Sequence, residues 1–172
     1  MIVVGKLRPI TFFEGENEEK KVESKTGNDL VYFKNCKNSK YSISKTCTKI
    51  IIEGCSECSF EIFSNVLTKT LELINCNKII VSINSNLFTV TADKCNMIHF
   101  KYSNKSLFNS IVSSQSLSIG LSLSKEEVVR IGKLHPEIKE VSEIKDFNQY
   151  ITHFVEDKIE TEEVIREGGK KK

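Results

Sequence analysis

Four segments of the chain end in cysteine: VYFKNC (31–36), IIIEGC (50–55), LELINC (71–76) and VTADKC (90–95). The cysteines recur at intervals of 19, 21 and 19 residues. A fifth copy, NSIVSS (109–114), follows after another 19 residues, with Ser114 in the place of the cysteine. A period near 20 residues is typical of solenoid proteins, in which one structural unit stacks on the next.

Apolar residues alternate with other residues on both sides of each cysteine. Around Cys55, for example, Ile50 and Ile52 precede the cysteine, and Phe60 and Ile62 follow it. Alternation with a period of two indicates half-buried β-strands, so each repeat is interpreted as two short strands that meet at a corner. We predict an all-β fold in which about five such coils stack into a β-helix. A β-sandwich is the alternative, but it would not require one residue type at a fixed position.

The repeat divides the chain into an N-terminal capping segment (1–29), the β-helix repeats (30–123), a connection with C-terminal strands (124–157) and a charged tail (158–172). Residues 138–157 fit a helix face as well as a strand, and the β-branched and aromatic run from Tyr150 to Val155 favours a strand. Because the last coil leaves an open strand edge, this segment can cap its own coil or pair with a second copy. We expect a homodimer, formed through Ile144, Phe147, Tyr150, Ile151, Phe154 and Val155.

Composition argues against several kinds of partner. The net charge of +2 indicates neither nucleic-acid binding nor membrane insertion. The segment Met1–Lys6 lacks the features of a signal peptide, so we expect a cytoplasmic protein with reduced thiols. In the pair Cys55-x-x-Cys58, the repeat places the first residue at a corner and the second on an inward strand position. We therefore interpret both as buried structural residues and expect no metal site.

No catalytic constellation is evident in the sequence. The histidines His99, His135 and His153 have no neighbouring nucleophile, and we expect neither enzymatic activity nor a cofactor. The three arginines lie outside the repeats, at Arg8, Arg130 and Arg166. One outward row of the strands that precede the corners is unusually apolar, which indicates that a partner protein or the N-terminal segment covers it. This row contains Tyr32, Ile51, Ile74 and Val112.

Five stretches resemble one known family: VYFKNCKN (31–38), LINCNK (73–78), SIVSSQS (110–116), HPE (135–137) and ITHFVE (151–156). They resemble the C-terminal domain of the adenylyl cyclase-associated proteins (CAP), the actin-regulating family with the CARP repeat, over about residues 22–156. The resemblance implies a right-handed parallel β-helix of about five to six coils, with a C-terminal strand pair exchanged in a dimer. We expect a short form, as found in some protists, without the family's helical N-terminal domain and WH2 motif.

The resemblance also implies a cytoplasmic, cytoskeleton-associated protein that binds monomeric actin, preferentially with ADP bound, and promotes nucleotide exchange on it. Adenylyl cyclase follows as a partner by the family name only. We expect actin contacts at three outward lysines, which suit the acidic actin surface, and at two tail residues: Lys40, Lys78, Lys101, His153 and Glu156.

Two alternatives to the actin function remain at this stage. Tubulin-binding cofactor C shares the fold and activates GTPases through an arginine in a Gln-x-Arg motif on a coil. No arginine lies between residues 9 and 129, which disfavours that activity. The other alternative is a purely structural dimeric solenoid.

Overall fold

The fold is a stack of short strands, seen in a computed structural model that describes residues 9–123 and 128–165. Two 3₁₀ helices, Lys105–Leu107 and Val141–Glu143, are the only helical segments in these two ranges, and neither could cross a lipid bilayer. The strands are β1 (Ile10–Phe13), β2 (Glu19–Glu23), β3 (Leu30–Lys34), β4 (Lys40–Ser44), β5 (Lys49–Glu53), β6 (Ser56–Ile62), β7 (Thr70–Ile74), β8 (Asn77–Ile83), β9 (Thr89–Asp93), β10 (Asn96–Tyr102), β11 (Ser110–Ser114), β12 (Leu117–Leu123), β13 (Val129–Ile131), β14 (Gln149–Val155) and β15 (Lys158–Glu163).

The strands form two sheets. Sheet 1 has the order β1-β3-β5-β7-β9-β11-β14-β15, and sheet 2 has the order β13-β12-β10-β8-β6-β4-β2. Strands β1 to β12 pair in parallel as six stacked strand pairs, whereas β13, β14 and β15 add in antiparallel fashion at the C-terminal end. The predicted all-β solenoid of about five to six coils is confirmed.

The core consists of identical positions stacked from coil to coil. In sheet 1, Ile50 pairs with Val31 on one side and Leu71 on the other, and all three side chains are buried. Sheet 2 contributes facing aromatic residues, and the Phe33 and Phe60 rings meet edge-on across the core with their centroids 4.9 Å apart. A single coil could not bury its inward row, so the apolar repeat is stable only as a stack.

Each cysteine corner depends on two residues with left-handed backbone conformations. The residue before the cysteine has a positive φ in every cysteine-containing coil, as at Asn35 (54°) and Gly54 (64°). The residue two positions after the cysteine repeats this conformation, as at Asn38 (47°). Glycine and asparagine tolerate that region best, which explains their frequency beside the cysteines.

The register of the fifth coil differs from the prediction. Ser114 pairs with Asp93, so the residue beside Cys95 is Ser116 and not Ser114. The Ser116 hydroxyl accepts a hydrogen bond from the Cys95 N–H at 3.0 Å and lies within 3.1 Å of the Ala92 carbonyl oxygen. A shift of two residues leaves every side chain on the same face of its strand, so alternation alone could not reveal the error.

The corrected register gives a testable difference between two serines. We expect Ser116→Ala to destabilise the protein by about 1–3 kcal/mol, because the buried Cys95 N–H would lose its acceptor. The control Ser114→Ala, at a half-buried outward position, should change stability by less than about 0.5 kcal/mol. Chemical denaturation would measure both, and equal effects would contradict the register.

The stack also begins earlier than the cysteine repeat indicated. Strands β1 and β2, which lie in the predicted capping segment, pair with β3 and β4 as a first coil, so the β-helix begins at Ile10 and not near residue 30. Gly15 lies at the corner where later coils have cysteine: the Lys37 N–H donates to its carbonyl oxygen at 3.0 Å. Because this coil has no cysteine at its corner, the cysteine spacing does not reveal it as part of the repeat.

The C-terminal segment forms a hairpin on the last coil. Strand β14 pairs with β11, which confirms the strand interpretation of residues 150–155. Residues 158–163 form β15, so this part of the predicted charged tail is a strand. Glu156 and Asp157, both with positive φ (49° and 68°), form the two-residue turn between the strands. This is the turn geometry that matches the natural twist of a hairpin.

The predicted dimerisation residues lie in different environments in the single chain. Ile144 is buried, whereas Phe147 is 72% exposed. Phe154 packs against the core, and its ring meets the Phe108 ring edge-on with the centroids 5.5 Å apart. Tyr150, Ile151 and Val155 are partly exposed. Exchange of the hairpin between two copies stays a prediction.

An ion pair fastens the connecting segment to the base of the hairpin. Lys133 Nζ lies 2.7 Å from an Asp146 carboxylate oxygen, which also accepts a hydrogen bond from the Tyr150 hydroxyl. Lys133, followed by Tyr150, lowers the pKa of Asp146 to about 2. A carboxyl group with a lowered pKa in the folded state contributes stability above its unfolded pKa, and that contribution is lost as the pH falls through the folded pKa.

The lowered pKa of Asp146 predicts that part of the free energy of unfolding is lost at acidic pH. Between about pH 5 and pH 2, the wild-type chain should lose more free energy of unfolding than the Asp146→Asn variant, whose amide does not titrate. Denaturant unfolding at a series of pH values would measure the difference. Parallel pH profiles for the two proteins would show that the ion pair contributes nothing.

Candidate protein-binding surfaces

The outer face of sheet 2 carries two of the predicted contact lysines. Lys40 on β4 and Lys101 on β10 are both exposed, and each lies next to inward residues that are fully buried. The two lysines are three coils apart, which is about 14 Å along the stack at the usual strand spacing, and they lie in rows two residues apart along the strand. The residues between them in the same two rows are mostly small or polar: Ser42, Ser59, Glu61, Ile80, Ser82 and His99.

An arginine joins this face at its C-terminal end. Strand β13 pairs Arg130 with Gly120, which itself neighbours His99 on β10. Arg130 is exposed, whereas the adjacent Ile131 is buried. We call the outer face of sheet 2 that carries Lys40, Lys101 and Arg130 the lysine face. The sequence repeats do not predict an arginine on the solenoid, because β13 lies beyond the last recognisable repeat.

His99 lies on the lysine face beside a serine. Its Nε2 atom is 2.7 Å from the Ser122 hydroxyl oxygen. Burial, followed by the nearby Lys101 charge, lowers the pKa of His99 below the ordinary histidine value. The imidazole is therefore neutral at pH 7, and the positive charge of the face comes from the lysines and the arginine.

Lys78 lies at the edge of this region, at a cysteine corner. It has a positive φ of 56°, and its Nζ lies 3.9 Å from a Glu57 carboxylate oxygen. Both side chains are more than half exposed, so the pair is well screened by solvent. Lys78 is available to a partner but brings little net positive charge.

The structure places the two predicted tail residues elsewhere. His153 lies on β14 in sheet 1, with Nε2 2.9 Å from a Glu162 carboxylate oxygen. Glu156 lies in the exposed turn of the hairpin. The five predicted contact residues therefore form two groups, one on and beside the lysine face and one on the hairpin.

The apolar row on the outer face of sheet 1 is not covered by residues 9–29. These residues form the first coil, which extends the sheet at its edge and does not lie over its face. Tyr32 of this row donates a hydrogen bond to the Glu53 carboxylate, and this contact, together with burial, raises the pKa of Tyr32 to about 12. At the other end of the row, Val112 pairs with Ile151 of the hairpin.

The cysteines are buried structural residues. The Cys55 thiol lies 3.5 Å from the Glu53 carbonyl oxygen and 3.7 Å from that of Phe33, and it can donate to either. Burial raises the pKa of Cys47 to about 11 and also raises the pKa of Cys58. Such thiols stay protonated and have little nucleophilic character. Within residues 9–123 and 128–165, His, Cys, Asp and Glu side chains form no group suited to hold a metal ion.

The buried carboxylate of Asp29 also has a structural role. It accepts hydrogen bonds from the Thr11 and Thr26 hydroxyl groups and from the backbone N–H groups of Lys25 and Thr26. Burial on its own would raise the pKa of Asp29, but these hydrogen bonds outweigh it and hold the pKa well below the usual range. Asp29 thus stays ionised and fixes the loop between the first two coils.

Comparisons with known proteins agree with this architecture. The family model described as adenylate cyclase associated (CAP) C terminal matches residues 3–164. A crystal structure of the cyclase-associated protein from Cryptosporidium parvum superposes with a TM-score of 0.67 at 18% sequence identity. That match covers 95% of this chain and 94% of the other. No curated protein sequence matches the chain.

Proposed function

Because the chain belongs to the adenylate cyclase associated (CAP) C-terminal family, which regulates actin, we propose that it binds monomeric actin, preferentially with ADP bound, and promotes nucleotide exchange. The family match over residues 3–164 is the observation that carries this proposal. The protein would act by binding alone, as a cytoplasmic component of the cytoskeleton. An interaction with adenylyl cyclase has no support here beyond the family name.

The lysine face is the contact surface that we favour. Lys40, Lys101 and Arg130 are exposed there and lie on one rigid sheet, so no loop has to be ordered when a partner binds. An acidic partner such as actin would be attracted by these charges, and the association rate should fall as salt rises. Lys78 would contribute at the rim, and His153 and Glu156 would form a separate contact on the hairpin.

We also propose that two copies exchange the β14–β15 hairpin. In the single chain, β14 pairs with β11 of its own last coil and closes the open end of sheet 1. A hairpin from a second copy could make the same contacts, since residues 132–148, between β13 and β14, could act as the hinge. Such a dimer would present two lysine faces, one on each solenoid.

The cofactor C alternative gains no support from Arg130. The residue two positions before it is Val128, so the stretch does not have the Gln-x-Arg form. The structural-solenoid alternative is separated from the actin function by a binding experiment.

That experiment measures binding of fluorescently labelled monomeric ADP-actin at low and at physiological salt. The double variant Lys40→Glu/Lys101→Glu should bind at least about tenfold more weakly, which corresponds to roughly 1.4 kcal/mol. The matched control is Lys45→Glu/Lys69→Glu, which makes the same change of charge in loops away from the lysine face and should bind like the wild type. No binding by the wild-type chain would refute the actin function. Equal weakening by both variants would refute the assignment of the surface.

A further inference from the structure

Four of the loops that return from sheet 2 to sheet 1 form a second surface, which we call the turn edge. It contains residues 45–48, 63–69, 84–88 and 103–109, which lie between successive strand pairs. The corresponding loop of the first coil, 24–29, is fixed by the buried Asp29 and is not part of this surface as we define it. Three large apolar side chains are half exposed in the two middle loops: Phe63 (49%), Leu67 (51%) and Phe88 (57%). Their coils belong to the well-packed centre of the solenoid, so this exposure is not the fraying of a terminus.

Backbone hydrogen bonds hold Leu67 and Phe88 in neighbouring stacked loops. The Phe88 N–H donates to the Lys69 carbonyl oxygen at 2.8 Å, which places Phe88 beside the end of the loop that holds Leu67. The loop that contains Leu67 is itself tied to the previous coil, because the Leu67 N–H donates to the Cys47 carbonyl oxygen at 2.9 Å. The apolar side chains are thus held on a fixed backbone, as a preformed binding surface requires.

The charges of the turn edge all have one sign. The four loops contain Lys45, Lys69 and Lys105 and no aspartate or glutamate. Lys45 lies 3.0 Å from Glu23 of an adjacent strand, Lys69 lies 3.3 Å from the Asn65 side-chain oxygen, and Lys105 lies over the Phe154 ring. The Lys69 ammonium group therefore has no acidic partner among these contacts, and Lys69 belongs to the same loop as Leu67.

The loops on either side of Phe88 each contain a lysine. The loop 84–88, which holds Phe88, has five residues, and its neighbours 63–69 and 103–109 have seven each. Lys69 and Lys105 belong to these two longer loops, so a segment that contacts Phe88 would have a lysine in the loop on each side.

We propose that the turn edge binds a short acidic segment of a partner protein. Apolar side chains of this segment would contact Leu67 and Phe88, and its carboxylates would pair with Lys45 and Lys69. A membrane surface is less suitable, since anionic lipid binding usually requires about four to eight clustered basic residues and this edge has three. The site is separate from the lysine face and does not depend on the actin function.

The test uses a phage-displayed library of twelve-residue peptides, selected on the full chain. Phages that also bind the variant Phe63→Ser/Leu67→Ser/Phe88→Ser are removed from the selected pool. The three changes are at exposed positions and should leave the fold intact. Recovered peptides should combine several Asp or Glu residues with at least two large apolar residues. In fluorescence anisotropy, Lys45→Glu/Lys69→Glu should weaken their binding at least tenfold, and Lys40→Glu/Lys101→Glu should not change it.

Four results would overturn this proposal. One is the absence of any peptide that prefers the wild-type chain to the serine variant, with both proteins shown to be folded by thermal unfolding. Another is recovery of peptides without an acidic excess. A third is binding to phosphatidylserine vesicles that requires Phe63, Leu67 and Phe88, which would assign the edge to a membrane. The last is loss of actin binding in the serine variant without any peptide binding, which would assign the edge to actin.

Discussion

Replacing Leu73 with alanine should lower the free energy of unfolding by about 2–5 kcal/mol. Leu73 is fully buried and stacks between Ile52 on one coil and Ala92 on the next. Because Ala92 is small, it cannot fill the space that the missing side chain would leave, so we expect a cavity. Equilibrium denaturation followed by circular dichroism would measure the change.

The matched control for this prediction is Leu67→Ala. It removes the same atoms from a leucine that is 51% exposed on the turn edge. We expect a change below about 0.5 kcal/mol there. If the two alanine variants were equally stable, the assignment of inward and outward positions in the solenoid would be wrong.

Replacing Phe154 with aspartate should convert the dimer that we propose into a monomer. The Phe154 ring packs on the buried Phe108 ring and lies under the Lys105 ammonium group, 5.2 Å from its Nζ. An aspartate would place a charge against this apolar contact, whether the hairpin lies on its own coil or on that of a second copy. Multi-angle light scattering would measure the mass of the variant.

A control at the opposite end of the solenoid distinguishes loss of the hairpin contact from a general effect of replacing a phenylalanine with aspartate. Phe12 is 51% exposed on β1, and Phe12→Asp should leave the dimer intact. A dimeric mass for Phe154→Asp would rule out the hairpin as the dimer contact. A wild-type chain that is monomeric at every concentration would rule out the dimer itself.

The parts of the fold that depend on repetition could be predicted from the sequence. Cysteine at a fixed position and alternating apolar residues were enough to predict stacked coils, because each coil must bury the same inward row. Alternation cannot fix the register of the fifth coil to within two residues, since Ser114 and Ser116 both follow an alternating strand. The cysteine repeat cannot reveal the first coil, because Gly15 occupies the corner position there.

The surfaces were harder to predict, because they depend on which strands become neighbours. Arg130 reaches the lysine face only through the antiparallel pairing of β13 with β12, for which no repeat gives a signal. The prediction groups His153 and Glu156 with the lysines, but His153 lies on β14 in the other sheet and Glu156 lies in the turn that follows it. The sequence gives no signal for the turn edge, because Phe63, Leu67 and Phe88 lie in loops of different lengths between the strands.

Release of a fluorescent nucleotide from monomeric ADP-actin is the most direct test of the function that we propose. Increasing amounts of the protein should accelerate release until the rate saturates, and Lys40→Glu/Lys101→Glu should shift the curve to higher protein concentration. A release rate that stays constant at every concentration of the wild-type protein, together with no detectable binding to actin, would contradict the proposed function.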